Sequence, residues 1–541
     1  MALETEYGSL TTKLREQEKS IKSHLHGRQR REMRMTVNAA TAAREKARAE
    51  GRLTGVIRSI CGTHVEQYSL HQLKLPNGET TTDPLIIHDA HTEHWKKWLG
   101  GAGNSTFFDH YEIDWDDPQN LREEFLTFPS HIPIPIAIRV AIWEALTVPQ
   151  YDDALVKQRL IIATSRTVTL ADLQAAISRS PKKSVPGPSG LSYAMMKEWT
   201  PAALQEAHSA MTMIWETGSI PNWWKKKWLC LKSKIDPDLA TLDDLRPISL
   251  IETTRKIWMG IIVGWIVEVW EEHDVLSPGQ YGFRRGRGCE SATIQVINAL
   301  EDAEESSTEI HGSSWDIKRA FDTIRKPILQ MSWQRLGVPK MLAKYIIDLD
   351  SDCLTIPLTP HAMKILSKRG IQAFGQSAST QKCASGFFPE TGTSQGDTPS
   401  PTNWNASLDV LLRALHAIDP TPFLVRTDNE LSHQEDTAYA DDLFSISARR
   451  EGLQKKADIV SAFTIIFGLK IAIHKLRSFA KCWGEEPSNQ TLTDYDLLVH
   501  DTGWIPTAIP VVYIADDLVY DSVFKYLGVY IDVNNRFKRQ H

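Results

Sequence analysis

One segment, residues 437–447, limits what this chain can fold into more than any other. It reads TAYADDLFSIS, so that two adjacent carboxylates, Asp441 and Asp442, interrupt a run of apolar and aromatic residues. Asp tolerates turn conformations and the flanking residues favour strands, which predicts a tight β-hairpin. Two carboxylates beside buried strands repel each other unless a cation neutralises them, and a divalent metal with oxygen ligands suits them. A surface Asp-Asp turn is the alternative, as for the isolated pair Asp516-Asp517.

The composition is that of an ordinary soluble globular protein. The 541 residues suffice for two or more domains. A net charge of −6 means that any nucleic-acid binding must depend on local basic patches. The six scattered cysteines, without a Cys-x-x-Cys pair, indicate reduced thiols in an intracellular protein of the nucleus or cytoplasm. The start lacks the apolar core of a signal peptide, and the hydrophobic residues 257–270 are too few to span a bilayer. They predict a buried helix, and no membrane partner is expected.

Two segments of different composition precede residue 170. Residues 1–60 contain 13 Lys/Arg and 7 Asp/Glu, a local net charge of +6. They predict a basic helical segment, which either touches nucleic acid or forms a solvated linker helix. Residues 61–169 form a mixed N-terminal extension punctuated by prolines. In it, His88, His91 and His94 lack the companions of a metal site and predict an exposed helix face.

Three stretches are candidates for binding phosphates or a nucleic-acid strand. Pro186-Gly187-Pro188 precedes a helix and can bring its backbone close to a ligand. Lys232, Lys234 and Arg246 lie at predicted strands, where basic side chains can grip a triphosphate or a template backbone. The loop of residues 280–288, which contains Arg284, mixes glycine with arginine and can track phosphates. Surface charges and simple turns are the alternative interpretation of each stretch.

A third carboxylate, Asp316, ends a predicted strand in the run SSWDIKRAFD. With Asp441 and Asp442 it would hold two divalent cations roughly 3.5–4 Å apart, which activate a 3′-hydroxyl and stabilise a pyrophosphate leaving group. Phe321 would cover the sugar of a nucleotide and exclude a ribose 2′-hydroxyl. Asp322, beside it, is interpreted as a helix cap or a supporting contact.

Two later stretches would complete such a site. Gln395 and Gly396 precede a long helical pattern, where a glycine lets the backbone approach a ligand and a glutamine can bond a base or sugar. Lys475 is a candidate proton donor to the leaving pyrophosphate, with an exposed lysine as the alternative.

In their order, these motifs resemble the reverse transcriptases, and among them those of non-LTR (LINE-like) retrotransposons. The resemblance extends over roughly residues 185–535. Ala-Phe-Asp after Asp316 and Gln-Gly-Asp at residues 395–397 favour the LINE-like enzymes. The matching runs are Pro186 to Gly190, Arg246-Pro247-Ile248-Ser249, Gln280 to Gly286, Asp316 to Asp322 (motif A), Gln395-Gly396-Asp397 with Ser400-Pro401 (motif B), Tyr439 to Asp442 (motif C), Gly468 to Ile471 with Lys475 (motif D) and Tyr526-Leu527-Gly528 (motif E, the primer grip).

The resemblance implies an RNA-directed DNA polymerase that copies an RNA template from a DNA primer or target DNA, using dNTPs and Mg²⁺, with Mn²⁺ as the alternative metal. It implies that Asp316, Asp441, Asp442 and the Ile317 carbonyl bind the metal, and that Tyr439 supports the primer end. The remaining implied roles are nucleotide binding by Lys232, Lys234, Arg246, Phe321 (the steric gate), Gln395 and Gly396, primer contact by Tyr526, Leu527 and Gly528, and template contact by Pro186, Gly187, Pro188 and Arg284.

The implied fold is of the α+β class, a right-hand polymerase. Fingers are expected over residues 170–300, a palm with an antiparallel sheet flanked by helices over 301–480, and a connecting insertion with the primer grip over 481–541. The reverse transcriptase domain is expected at about residues 215–535. The thumb is expected to be missing, because the chain ends soon after the primer grip, which predicts a truncated or decayed element copy.

Three positions depart from the family pattern, although none removes a carboxylate. Ser189 replaces the usual Asp, Thr398-Pro399 replaces Pro-Leu, and Ala472 replaces Asn. Three alternative functions stay open. An RNA-dependent RNA polymerase normally has a smaller polar residue at the position of Phe321, and a group II intron maturase adds an RNA-binding thumb. The third is a non-catalytic nucleic-acid-binding remnant.

Overall fold

A computed structural model describes most of the chain after residue 72. The described residues are 73–74, 80–100, 105–233, 241–359, 361–362, 385–427, 430–482, 495–514, 523–527 and 529–533. The chain divides into two compact units, Met1–Tyr68 and Ser69–His541, and all described residues belong to the second. The basic segment predicted for residues 1–60, as well as Lys234 and Gly528, lies outside the described residues.

The described part is a mixture of helices and strands. Its α-helices span Pro84–Trp98, Arg122–Thr127, Ile136–Thr147, Asp153–Ser165, Leu170–Arg179, Tyr193–Met196, Pro201–Thr217, Thr253–Glu272, Cys289–Glu305, Ala320–Thr323, Lys326–Arg335, Lys340–Ser351, Ser400–Ile418 and Arg450–Ile466. Single 3₁₀ turns span Phe107–Asp109, Pro118–Leu121, Leu242–Asp244 and Ile473–Lys475.

The strands are numbered in chain order: β1 Leu73–Lys74, β2 Thr80–Thr81, β3 Lys226–Ser233, β4 Leu245–Leu250, β5 Glu309–Asp316, β6 Leu354–Pro357, β7 Leu424–Thr427, β8 Glu430–His433, β9 Thr437–Tyr439, β10 Asp442–Ser447, β11 Arg477–Cys482, β12 Tyr495–His500, β13 Pro506–Tyr513, β14 Val523–Tyr526 and β15 Val529–Asp532.

Helix boundaries follow local capping chemistry. The Pro201–Thr217 helix begins after Thr200, whose hydroxyl accepts the Ala203 amide at 3.2 Å, and proline occupies the first helical position. It ends at Gly218, whose φ of 63° is the left-handed conformation that glycine adopts without strain. A side-chain oxygen at the start and a glycine at the end satisfy terminal backbone groups, so the sequence sets both ends of this helix.

A six-stranded sheet in the order β12-β13-β11-β5-β10-β9 forms the centre. Neighbouring strands run antiparallel except β11 and β13, which run parallel. The Arg450–Ile466 helix packs against β5, β10 and β12. The Cys289–Glu305 helix contacts β5 and β9 and contributes to a core cluster with β14 and β15. Two apolar layers therefore sandwich the sheet and fix the ends of β5 and β10 relative to each other.

A second, three-stranded sheet has the order β4-β3-β6, and the Thr253–Glu272 helix follows β4 in the chain. That helix contains the apolar run of residues 257–270, and Trp258, Ile262, Ile266 and Trp270 are fully buried in it. The prediction of a buried helix is confirmed. Within the described residues no single helix has the length and apolar composition to cross a membrane. Asp153–Ser165 and Leu170–Arg179 meet that test only as a pair, bent by 94°.

The exposed histidine face predicted in the N-terminal extension is wrong. His88 and His91 lie on the Pro84–Trp98 helix and are 1% and 0% exposed. His88 Nδ1 lies 2.8 Å from Thr359 Oγ1. Neither ring nitrogen of His91 has a hydrogen-bond partner, and burial lowers the pKa of this side chain to about 3. The helix turns this face inward because Trp95, one turn further on, packs into an apolar cluster with Leu229 and Leu231 of β3.

Candidate functional site

The three predicted carboxylates converge at adjoining strand ends. Asp316 is the last residue of β5 and Asp442 the first of β10, and the two are direct partners in the antiparallel register. Tyr439 of β9 also pairs with Asp442, which leaves Ala440 and Asp441 as a two-residue turn. Partner residues on neighbouring strands have their Cβ atoms about 4.5–5.5 Å apart, so the side chains of Asp316 and Asp442 share one edge of the sheet.

The turn has an unusual backbone that a neighbouring side chain holds in place. Ala440 has a φ of 58°, a left-handed conformation that costs a residue with a Cβ about 1–2 kcal/mol. The buried amide of Gln280 binds it from both sides: Oε1 accepts the Ala440 amide at 3.1 Å, and Nε2 donates to the Ala440 carbonyl at 3.3 Å. The same Oε1 accepts the Gly282 amide at 2.7 Å.

Backbone contacts reinforce this clamp. The Tyr281 amide donates to the Ala438 carbonyl at 2.7 Å, and the Ala438 amide donates to the Gly279 carbonyl at 2.8 Å. A Cβ on Gly282 would overlap the Ala440 backbone, so only glycine permits this approach. The glycines and arginines of residues 280–288 predict a loop that tracks phosphates, whereas the structure shows its first residues supporting the turn.

The electrostatics of the turn favour a bound cation. Desolvation raises the pKa of Asp441 to about 6, and the negative charges of Asp442 and Asp316 add to this. Desolvation and the Asp316 charge also raise the pKa of Asp442. Carboxylates that repel one another in this way fit a hard divalent cation. Among the described residues no three His, Cys, Asp or Glu side chains are close enough to hold a metal as they stand. Lys475 Nζ instead lies 2.8 Å from Asp316 Oδ2.

Lys475 reaches Asp316 because its segment is attached to the end of β5. Ile317 forms a bridge with Ile471. The Lys318 amide donates to the Lys470 carbonyl at 2.7 Å, and the Ala472 amide donates to the Asp316 carbonyl at 2.8 Å. The Ile317 side chain is buried. Ligation of a metal by its carbonyl stays a prediction.

Asp316 and Asp441 line a cleft of about 590 Å³, whereas Asp442 is not among its lining residues. Basic, acidic and aromatic side chains from several distant segments share its wall. The lining residues are Trp98, Leu245, Arg246, Pro247, Phe283, Asp316, Lys318, Arg319, Ala320, Phe321, Asp322, Gln395, Gly396, Ser400, Pro401, Asp441, Ala472, His474 and Lys475. Lys232 is the strand partner of Arg246 and exposed, but does not line the cleft.

The aromatic side of the cleft is formed by Phe321. Its ring packs against the buried Trp404, with centroids 5.5 Å apart. Phe283, which is 52% exposed and has a φ of 59°, lies 6.4 Å from Phe321 and 6.3 Å from Tyr439 between ring centroids. Trp404 therefore supports the ring of Phe321, which also lines the cleft.

The segment of residues 391–401 is fixed by a buried ion pair that sequence reasoning did not identify. Arg255 is fully buried on the Thr253–Glu272 helix and donates a hydrogen bond to Asp397. The Ser249 amide at the end of β4 donates to the Gln395 carbonyl at 2.7 Å. Gly396 has a φ of 111°, and a Cβ there would clash with the Ser249 carbonyl. These contacts bring Gln395 and Gly396 to the cleft.

Arg284 has a different position from the template-facing one predicted. Its side chain is 5% exposed, and its Nε and Nη2 each lie 2.7 Å from a carboxylate oxygen of Glu271. Its Nη1 donates to the Ser277 carbonyl at 2.7 Å. A bidentate ion pair satisfies a guanidinium inside the protein, so Arg284 serves to anchor the loop. The neighbouring Arg285 is the exposed basic residue.

The proline-glycine loop packs on the end of β4. Gly187 and Pro188 are buried and Pro186 is half-buried. Ser189, which departs from the family pattern, donates from its amide at 2.6 Å and from its hydroxyl at 2.7 Å to the buried Glu252 carboxylate. A template contact by Pro186, Gly187 or Pro188 stays a prediction.

Tyr526 and Leu527, two of the predicted primer-grip residues, lie on a hairpin that packs against β9 and β10. Tyr526 is 2% exposed, and its hydroxyl donates to the Thr437 carbonyl at 3.1 Å. Its ring lies 5.4 Å from that of Phe444 on β10. Leu527 occupies the turn between β14 and β15 with a φ of 50°. This hairpin therefore contacts both strands that flank Ala440 and Asp441, β9 and β10.

Comparison with known proteins connects the site to a family. The family model described as reverse transcriptase (RNA-dependent DNA polymerase) matches residues 231–531, which include the catalytic turn, Asp316, Gln395 and Lys475.

Three relatives are similar over part of their length. The RNA-directed DNA polymerase from mobile element jockey of Drosophila melanogaster is 26% identical over 174 residues, 32% of this chain and 19% of that protein. A Retrovirus-related Pol polyprotein from type-1 retrotransposable element R2 of Popillia japonica is 25% identical over 316 residues, 58% of this chain and 39% of the relative. The polyprotein from type-2 retrotransposable element R2DM of Drosophila melanogaster is 25% identical over 318 residues, 57% of this chain and 26% of the relative. The chain thus spans less than half the length of each.

Proposed function

Because the chain belongs to the reverse transcriptase (RNA-dependent DNA polymerase) family, as a LINE-like member, we propose that it copies RNA into DNA for a non-LTR retrotransposon. The reaction is the transfer of deoxynucleotides from dNTPs to the 3′-hydroxyl of a primer or of target DNA. One observation carries the proposal: Asp316 pairs with Asp442 across the β5–β10 register, beside Asp441, at the edge of a cleft that also contains Arg246 and Lys475.

The three carboxylates would hold the divalent cations, Mg²⁺ or Mn²⁺. Such cations supply Lewis-acid activation of the 3′-hydroxyl and charge neutralisation at the phosphates. The raised pKa of Asp441 supports this role. Burial and the neighbouring negative charges destabilise its ionised form, and a bound cation would relieve that repulsion. Lys475, paired with Asp316 here, would exchange that partner for the leaving pyrophosphate and donate its proton there.

The rest of the cleft would position the nucleotide. Arg246 on β4 would bind the triphosphate, with Lys232 beside it on β3. Phe321, held by Trp404, would exclude a ribose 2′-hydroxyl and so select dNTPs over NTPs. Gln395 and Gly396 would border the nucleotide in the same cleft as Phe321.

In the proposed polymerase architecture, the six-stranded sheet is the palm and the β4-β3-β6 sheet belongs to the fingers. The β14–β15 hairpin would act as the primer grip, because Tyr526 contacts the strand that carries the catalytic turn. The RNA template would approach from the side of the proline-glycine loop at residues 186–188. The protein would work in the nucleus or cytoplasm.

Primer extension tests the proposal. Wild-type protein with a primed RNA template and Mg²⁺ should incorporate dNTPs and reject NTPs. Asp441→Asn and Asp442→Asn should each abolish incorporation, while Asp496→Asn, an exposed carboxylate on β12, should leave it unchanged. Incorporation of NTPs as readily as dNTPs would indicate an RNA polymerase. A folded wild-type protein that binds primer–template without extending it would be a non-catalytic remnant.

A further inference from the structure

The Pro84–Trp98 helix lies outside the region that matches the family, yet it forms part of the cleft wall. Its C-terminal end is attached to the segment before Gln395: the Leu99 carbonyl accepts the Glu390 amide at 2.8 Å and the Thr391 amide at 3.0 Å. Trp95 anchors the same end in the apolar cluster under β3. The last helical residue, Trp98, is therefore held rigidly at the cleft.

Trp98 is the platform for an arginine of motif A. The Arg319 guanidinium carbon lies 3.0 Å from the centroid of the Trp98 ring. Arg319 has a φ of 56°, a strained conformation for a residue with a Cβ, so its position is imposed by its surroundings. Its Nη2 donates to Asp243 Oδ1 at 3.2 Å, with the two side chains 35% and 67% exposed. Such an exposed ion pair is weak and exchangeable.

The same ring supports the nucleotide pocket through a second contact. Trp98 Nε1 donates to Asp322 Oδ2 at 3.3 Å, and Gln395 Nε2 donates to Asp322 Oδ1 at 2.9 Å. Trp98 thus contacts one residue that precedes and one that follows Phe321 in the sequence. The two contacts use different parts of the indole, its face for Arg319 and its N–H for Asp322.

We propose that Arg319 binds the phosphates of the incoming nucleotide, and that Trp98 is the positioning residue that holds it there. Stacking occupies the flat face of a guanidinium and leaves its N–H groups in the plane, where they can bind phosphate oxygens in pairs. Arg319 and Arg246 line the same cleft as Asp316, so a triphosphate directed at the carboxylates would lie within a basic wall. On binding, the phosphate would replace Asp243 as the partner of Arg319. This inference rests on the proposed function.

The competing interpretation is that Trp98, Arg319 and Asp243 merely fasten the N-terminal helix to the body of the protein. The two interpretations differ in their kinetics. A fastener would lower the amount of folded enzyme, whereas a phosphate ligand would raise the KM for dNTP with little change in kcat.

Steady-state primer extension with dTTP distinguishes them. Arg319→Gln should raise the KM for dTTP about tenfold, with kcat within about twofold of wild type, and Arg319→Lys should recover part of the loss. Trp98→Ala should raise KM about threefold to tenfold, and the double variant should be no worse than Arg319→Gln. Trp98→Phe keeps the stacking face and loses the N–H, so its KM should stay within about twofold of wild type.

A matched control is available in Arg450, which stacks on Tyr495 at 4.4 Å and does not line the cleft. Arg450→Gln removes a comparable cation–π pair and should leave the KM unchanged. Equal KM values for wild type and Arg319→Gln would overturn the proposal. So would a loss of kcat at unchanged KM that follows the folded fraction measured by circular dichroism.

A binding measurement separates this inference from the proposed reaction. Calorimetric titration of dTTP, with Ca²⁺ and a primer–template whose 3′-end cannot be extended, requires no catalysis. Arg319→Gln should weaken binding about tenfold, and tripolyphosphate should compete for wild-type protein more strongly than for the variant. If wild type binds dTTP with this dependence but extends no primer, the proposed function fails and the phosphate site stands. Identical affinity in both proteins, or no binding by either, would overturn the site.

Discussion

The clamp on the catalytic turn predicts that one buried amide controls both stability and chemistry. Gln280 is 2% exposed and makes three hydrogen bonds, two to Ala440 and one to the Gly282 amide. Gln280→Met keeps the length of the side chain but removes every one of these bonds. The substitution therefore isolates the clamp from the packing around it.

The expected magnitude follows from those contacts. A buried hydrogen bond contributes about 0.5–1.5 kcal/mol, and a buried group left without a partner costs about 1–3 kcal/mol. We expect the free energy of unfolding to fall by about 2–4 kcal/mol. Without the clamp, Ala440 is free to leave its left-handed conformation, which would displace Asp441 and Asp442. Because a displacement of about 1 Å can reduce a rate 100-fold, we expect kcat to fall about 10- to 100-fold, and the KM for dNTP to change much less.

Urea unfolding and primer extension on the same samples provide the test. The control is Gln334→Met, since Gln334 is also buried, accepts the Trp115 indole N–H at 3.0 Å and lines a different cavity from Asp316 and Asp441. It should lose stability while keeping kcat per folded molecule. Gln280→Glu keeps both acceptor contacts and should fall between wild type and Gln280→Met. A normal kcat for Gln280→Met under conditions where it is fully folded would refute the reasoning.

Three further predictions concern buried charge. Arg255→Met leaves the Asp397 carboxylate buried without its ion-pair partner, so the free energy of unfolding measured with urea should fall by about 3–5 kcal/mol. Adding Asp397→Leu should recover part of this loss of stability. His91 is neutral when folded because burial lowers its pKa to about 3, so the free energy of unfolding should fall as the pH drops below about 6.5, by about 1.4 kcal/mol at pH 5.5. His91→Phe should remove that contribution in pH-dependent melting, and substitution of the exposed His131 by Gln should not. Ser189→Asp places a second carboxylate against Glu252, whose pKa is already raised by burial. The melting temperature of Ser189→Asp should therefore lie below that of Ser189→Ala at pH 7, and the difference should shrink as the pH falls. A difference independent of pH would contradict this.

The turn at Ala440 and Asp441 could be predicted from the sequence because neighbouring residues determine it. Alternation of apolar residues predicts strands on both sides of Asp441 and Asp442, and two residues between strands allow few turn geometries. The position of Asp316 at the end of its strand was equally local. The local sequence does not predict its pairing with Asp442, which the β5–β10 register shows.

The buried ion pairs that hold the segments around the site could not be predicted in this way. Arg255 and Asp397 are 142 residues apart, and nothing in either local sequence identifies the other as a partner. Arg284 illustrates a different limit. A run of glycine and arginine predicts an exposed basic loop, but the pattern does not show which arginine pairs with a buried carboxylate. His91 was misassigned for a related reason, since polarity alone does not show that Trp95 draws that helix face into the core.

Three glycines of the motifs explain why the site can be recognised from the sequence. A Cβ on Gly282 would overlap Ala440, a Cβ on Gly396 would clash with Ser249, and a Cβ on Gly187 would clash with Ile251 and Glu252. Gly282 and Gly396 therefore lie where the backbone of one motif touches that of another, and Gly187 lies against the backbone that follows β4. Such positions tolerate no side chain irrespective of any ligand, because the contact is between main chains. It follows that much of the motif pattern encodes the assembly of the cleft, and that only the residues facing it, such as Asp316, Arg246, Phe321 and Asp441, report on the chemistry inside.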